Sequence, residues 1–289
     1  MPSKRDGISP RDFAAAIGVS ESSIKRWVDQ GLLHAVRTAG GHRRITPEEA
    51  MRWLRQHHMM PVHPERLGWS RDEIASLGSL DSQVDAFFQL LSAGKAEEAR
   101  AFVMRAHLAG QDAAHLADEL VAPTMSRIGM LWHASDEGVL IEHRATEIVL
   151  HIVKELYGVI MEHGQRVRTV NAVGAAVEGD SHMLAAAWTG VTLAELGMAV
   201  TNLGSGIPAH LIETGARMVD AKFVYLTASV AMEPAVGAKT REVIAGLLAR
   251  GVFVAAGGLH VGELALQPHD RLLISRSQVE LQAFAKRAL

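Results

Sequence analysis

Apolar positions along the chain fall into three successive textures. Residues 1–60 read as three short helices and a hairpin. Ser9 and Pro10 open a helix to Ile17, with serine as N-cap and proline in the first turn. Gly18 and Val19 make a tight turn, and Ser20 caps a second helix to about Gln30. Ile24, Trp27 and Val28 stand at i, i+3, i+4 and are expected to face a core, which leaves Ser22, Lys25 and Arg26 on the outer face. Gly31 ends that helix. The segment from Ala35 to Ile45 alternates about Gly40 and Gly41, the pattern of a two-stranded wing. Thr46-Pro47-Glu48-Glu49 opens a further helix to about His57.

Residues 61–79 hold Pro61, Pro64 and scattered charges without a sustained period, and read as a linker. Residues 80–163 are helical almost throughout, with breaks near Gly94, Gly110 and Ser135–Gly138. Four helices with short connections predict an antiparallel bundle. From residue 164 onward the texture changes again. Val167–Val177, Ala199–Leu203, Phe223–Leu226 and Val252–Ala256 are short apolar runs suited to buried parallel strands. Helical stretches near 182–196, 208–218 and 236–250 separate them, and this alternation predicts a doubly wound sheet in residues 164–289. The fold class is therefore multidomain, α followed by α/β.

Composition narrows the picture. The 289 residues contain no apolar run long enough to span a membrane and no apolar signal segment near the N-terminus, so a cytoplasmic chain is expected. The absence of cysteine excludes disulfides, thiolate metal sites and cysteine nucleophiles. Residues 1–60 carry ten Lys/Arg against six Asp/Glu, whereas the remainder is acidic. A small basic head on an acidic body fits a nucleic-acid reader joined to a sensor or assembly domain.

Helix, tight turn and second helix with a polar outer face form the geometry that enters a major groove of double-stranded DNA. By themselves these residues also fit a small protein-binding module. The run Arg37-Thr-Ala-Gly-Gly-His42-Arg43-Arg44-Ile45 closely resembles the wing of MerR-type regulators, and Ile17-Gly-Val-Ser-Glu-Ser-Ser-Ile-Lys-Arg-Trp27 resembles their recognition helix. The resemblance implies a winged helix-turn-helix that binds operator DNA through Ser22, Lys25, Arg26, Arg37, His42, Arg43 and Arg44.

In the third texture, Asp180 and His182 follow the first expected strand, where ligands of open α/β sheets dock. A histidine binds a transition metal through one ring nitrogen while a carboxylate fixes the other. The same pair also fits an ordinary capped helix start. Asp180-x-His182-x-x-Ala185, then Thr227-Ala-Ser229, then Gly257-Gly258 resemble in spacing the cobalamin-binding signature, with Ala185, Thr227 and Ser229 departing from its glycine, serine and leucine. That resemblance implies His182 as the lower cobalt ligand, with the cofactor's nucleotide tail buried in the sheet domain. Thr227 keeps a hydroxyl that could bond Asp180, and Ala185 adds a methyl group where the tail must pass.

In the bundle, Trp132-His133 ends the third helix, and Glu142-His143 lies early in the fourth. Together with the order of domains they resemble CarH-type cobalamin photoreceptors. The resemblance implies that Trp132 packs on an upper 5′-deoxyadenosyl group, that Glu142 and His143 line the same pocket, and that His133 reaches cobalt once that group leaves. It implies a light-responsive, non-enzymatic repressor, tetrameric and DNA-bound in the dark with adenosylcobalamin. Two other readings stay open here: a regulator whose cobalamin-type domain works without cofactor, and a corrinoid carrier for methyl transfer.

Overall fold

The computed structural model describes residues 7–37, 40–46, 49–50, 53, 80–132, 135–163 and 170–289. The expected linker and His133 lie outside the described residues, as does most of the expected helix at 46–57. The chain divides into two compact units, residues 1–83 with 101–111, and residues 84–100 with 112–289.

In the first unit, α1 spans Pro10–Ile17 and α2 spans Glu21–Asp29, each opened by its serine: Ser9 accepts from the Asp12 N–H and Ser20 from the Ser23 N–H. Gly18 closes α1 in the left-handed conformation that glycine adopts without strain. The wing is β1, Val36–Arg37, antiparallel to β2, Arg43–Arg44. Ile8 and Ile45 bridge across its base. Phe13, Ile17, Ile24, Leu33, Ile45 and Trp53 form the core. Trp53 stacks on Trp27 and meets Phe13 edge-on, which locks the turn between α1 and α2.

Four helical stretches follow, as the pattern predicts: α3 (Leu80–Ser92), α4 (Ala96–Leu108), a third stretch, and α7 (Asp136–His163). The third is not one continuous α-helix. It begins as α5 (Ala113–His115), widens to a π-helix over Leu116–Val121, and resumes as α6 (Ala122–Leu131). Pro123 supplies the reason: lacking an N–H, it cannot donate to the carbonyl of Glu119. The ladder shifts by one residue, and the Ala122 N–H reaches back to the carbonyl of Ala117. At the other end α6 and α7 meet at Gly138, where a Cβ would lie 2.0 Å from the Leu131 carbonyl oxygen.

The α/β half runs β3 (Asn171–Ala176), α8 (Leu184–Glu195), β4 (Ala199–Asn202), α9 (Ala209–Met218), β5 (Phe223–Thr227), α10 (Pro234–Ala249), β6 (Phe253–Gly257), β7 (Leu272–Ser275) and α11 (Gln278–Ala285). The five strands are parallel in the order β4-β3-β5-β6-β7. Val173, Val224, Leu226 and Val254 pack on one face with Ile212, Ala216, Ile244 and Leu247 from α9 and α10. On the other face Phe223, Tyr225 and Ala255 pack with Ala186 and Leu193 of α8 and Leu281 and Phe284 of α11. This is a doubly wound sheet. The last strand and helix extend the sequence expectation: β7 is partly exposed and its Leu-Leu-Ile-Ser is too short an apolar run to register.

Register sets up the site. Ala176, Thr227, Gly257 and Ser275 lie side by side across four strands at their carboxyl ends. Gly174 of β3 pairs with Tyr225 of β5, and a Cβ at 174 would stand 2.2 Å from the tyrosine ring. The glycine is there to let that ring lie flat over β3. Gly174→Ala should therefore destabilise the protein by about 1–3 kcal/mol through overpacking. Gly246→Ala in α10, where no atom lies within 4 Å of the added methyl, should gain about 0.5–1 kcal/mol from helix propensity. Urea denaturation of both variants checks the pair.

Candidate functional site

The switch point of the sheet lies between β3 and β5, whose connections leave in opposite directions, and the loop after each strand carries site residues. Asp180 is fully buried. Its Oδ1 accepts the His182 backbone N–H and faces His182 Nδ1, both at 2.9 Å, and its Oδ2 accepts the Ser229 N–H at 2.6 Å. One carboxylate thus ties the two loops together and orients the imidazole. A carboxylate only accepts, so the proton sits on Nδ1 and the Nε2 lone pair is left for a ligand. The His182 side chain is 60% exposed, as a ligand to an incoming group must be.

Beside it lies a cavity of about 710 Å³, in the range of small-molecule sites. The π-turn and α6 wall it with Asp118, Val121, Ala122 and Met125, and α8 with Ala185, Trp188 and Thr189. The strand ends contribute Tyr225, Thr227 and Gly257, and the segments beyond them contribute Gly258, Leu259, Ser275 and Gln278. Gly258 has φ +105°, and a Cβ there would sit 2.4 Å from the Ala228 carbonyl oxygen, so the strand end can turn this tightly only with glycine. Burial pushes the Tyr225 hydroxyl well above the usual phenol range, and it stays neutral.

One sequence expectation changes here. Thr227 does not bond Asp180: its buried hydroxyl has no hydrogen-bond partner, and Asp180 Oδ2 accepts the Ser229 N–H instead. Ser229 meets Asp180 through its backbone. Ala185 stands in the cavity wall.

The second cluster is on the cap. Trp132 and His143 stack at 5.2 Å with 21° between planes, and Glu142 lies 3.0 Å from His143 Nδ1 while accepting from the Thr146 hydroxyl. Trp132 remains 45% exposed. It follows the wall residue Met125 by seven positions, which on a helix is within about 20° of the same direction and roughly 10 Å further along. The structure therefore brings Asp180, His182, Thr227, Ser229, Gly257 and Gly258 together on the sheet, and Trp132, Glu142 and His143 together on the cap. Sequence reading missed Asp118, Trp188, Thr189 and Gln278 as wall residues. The signal for Gln278 was present: Ser277-x-x-Glu280 is a helix-start motif, and Ser277 accepts the Glu280 N–H.

In the head, Ser22, Lys25, Arg26, Arg37 and His42 are exposed, while Arg43 and Arg44 are half-buried. Lys25 pairs with Glu21 at 2.7 Å, and Arg43 with Asp29 at 2.6 Å. The second pair pins the wing to the end of α2.

Comparison with known proteins agrees with this division. Residues 8–58 match a helix-turn-helix domain family, and residues 83–157, the helical cap, match a B12 binding domain family. No curated protein matches. Among solved structures, the monomethylamine corrinoid protein of Methanosarcina barkeri is similar at 14% identity with a TM-score of 0.51, covering 72% of this chain and 99% of that one. A novel cobalamin-binding protein from Desulfitobacterium hafniense DCB-2 aligns at 21% identity over 71% of this chain and 98% of that one, TM-score 0.35. The methanol:cobalamin methyltransferase complex MtaBC of M. barkeri aligns at 17% over 74% and 81%, also with TM-score 0.35. The chain joins a helix-turn-helix domain to a B12-binding domain. Its α/β half has the fold of corrinoid proteins. Among the described residues no helix is long and apolar enough to cross a membrane.

Replacing both Arg43 and Arg44 by Ala should weaken DNA binding across sequences and flatten its salt dependence, since phosphate contacts release counterions. Fluorescence anisotropy at several salt concentrations measures both effects. Unchanged affinity and slope would remove the wing from the DNA-binding face.

Proposed function

We propose that this protein is a light-responsive, MerR-like transcriptional repressor that uses adenosylcobalamin as its chromophore and acts without enzymatic turnover. The observation that carries the cofactor reading is the Asp180 carboxylate, which orients His182 with Nε2 left for a ligand beside a cavity of about 710 Å³. The residues fit the group. Cobalt accepts an imidazole nitrogen, and His182, oriented by Asp180, would supply it. The partnerless Thr227 hydroxyl in the cavity wall offers a donor to a nitrogen base lodged there. Gly257 and Gly258 keep the strand end low beside it.

His182 would be the lower ligand, with Asp180, Thr227, Ser229, Gly257 and Gly258 supporting ring and tail. Trp132, Glu142 and His143 would cover the upper face. When bound, adenosylcobalamin supplies a cobalt–carbon bond that visible light cleaves. His133, next in sequence to the capping tryptophan, is our candidate imidazole for the position so opened. The stack of Trp132 on His143 is exposed on the cap, and in this reading a cap that moves there would break an assembly built on its dark pose.

Assembly is enough to control DNA binding. A single head makes few phosphate contacts, and linking several heads multiplies effective affinity by roughly 10²–10⁴. In this reading the dark form is a tetramer on operator DNA in the cytoplasm, and light releases it. The helix-turn-helix match at residues 8–58 favours this over a methyl-transfer carrier.

Size-exclusion chromatography with adenosylcobalamin, run dark and then illuminated, tests the switch. A large coloured species in the dark that becomes smaller after light supports it, and a colourless protein of constant size overturns it. His182→Ala should abolish stable cobalamin binding or leave the cofactor without an imidazole spectrum. Asp180→Asn should weaken binding by about 10–100-fold through the orientation of His182. Wild-type affinity and spectrum in His182→Ala would remove that loop from the site.

A further inference from the structure

The cap is fastened to the α/β half at one end by a compact set of hydrogen bonds. The Asp118 carboxylate, in the π-turn, accepts the N–H groups of Gln278 and Val279 at 2.8 and 2.9 Å, one on each oxygen. Five residues upstream of Asp118, Ala113 gives its N–H to Glu195 and its carbonyl accepts the Trp188 indole N–H. Asp112 accepts from the Gln282 amide. The bonds reach α8 and α11, the two helices that flank the cavity on the sheet's upper face.

Asp118 is unusual among these groups. The first turn of a helix leaves N–H groups unsatisfied, and α11 fills its own third one through Ser277. The first two are satisfied from another part of the chain, by an ion whose charge the helix dipole favours. Both Asp118 and Gln278 also stand in the cavity wall. The clamp therefore joins two walls of the cavity, the π-turn and the start of α11, at a fixed point. Asp118 lies within the π-turn, where the ladder shifts by one residue ahead of Pro123, and α6 follows directly from it.

We infer that Asp118 is a positioning residue for the bound cofactor: by capping α11 from the cap, it fixes where these two walls meet and so the shape of the cavity that receives the tail. This rests on the cobalamin reading of the cavity above. It separates two jobs within the third helical stretch. The clamp at 112–118 holds the cap in place, and α6 beyond the π-turn carries the wall residue Met125 and Trp132.

The test pairs a cofactor-free measurement with a binding one. In Asp118→Ala without cobalamin, amide hydrogen exchange at Gln278 and Val279 should rise at least about tenfold, with the rest of the sheet protected as in wild type. Titrated in the dark with adenosylcobalamin, the same variant should bind at least about tenfold more weakly, yet its bound fraction should keep the wild-type imidazole-ligated spectrum. Asp118→Asn, which retains an acceptor oxygen, should fall between. Unchanged exchange would overturn the clamp. Faster exchange with wild-type affinity would overturn its role in the cavity, as would loss of the imidazole spectrum, which would place the effect at His182. A wild-type protein that binds no adenosylcobalamin would instead overturn the cofactor reading, and with it the cavity role, while the exchange result stands on its own.

Discussion

The buried carboxylate of Asp180 is the constraint on which the site depends. A fully buried charge is costly unless donors surround it. Here two backbone N–H groups and one imidazole do so, drawn from the loops after β3 and β5. Those loops can converge only because parallel register brings Ala176 and Thr227 level at the strand ends. The register in turn requires Gly174 opposite Tyr225. A single ion therefore links sheet geometry to the direction of one imidazole lone pair, and everything proposed for the cofactor is downstream of that link.

The cap follows a different logic. Its third helical stretch closes one side of the cavity, while Trp132 is left half in solvent. In the proposed reading, such an element can report the state of a ligand placed against it. The head's wing carries an ion pair from Arg43 to Asp29 of α2. In the proposed reading its hold on DNA is governed by how many copies are linked.

Much of this was legible in the sequence, for identifiable reasons. Ser9, Ser20 and the Gly40-Gly41 turn have local chemistry that dictates local structure, and the head's helices begin where the serines place them. Buried strands β3, β5 and β6 are continuous apolar runs. What escaped was non-local. β7 is partly exposed, so its pattern is weak, and the π-turn depends on Pro123 within an otherwise helical period. The pairing of Asp180 was half-visible: the imidazole partner lies two residues away, but the Ser229 N–H arrives from 49 residues downstream. The Thr227 hydroxyl is left without the bond its position suggested. Asp118 capping a helix 160 residues later is likewise invisible to any reading of neighbours.

The central claim is that Asp180 holds His182 as the Nδ1–H tautomer, with Nε2 unprotonated and open to a metal. Nitrogen-15 NMR of imidazole-labelled protein measures this directly, with the His182 resonances assigned by their loss in His182→Ala. The account predicts that the neutral ring carries its proton on Nδ1 and leaves Nε2 bare, with the Nε2 signal shifting on addition of cobalamin. A proton found on Nε2 in the neutral ring, or an Nε2 signal indifferent to cobalamin, would contradict it.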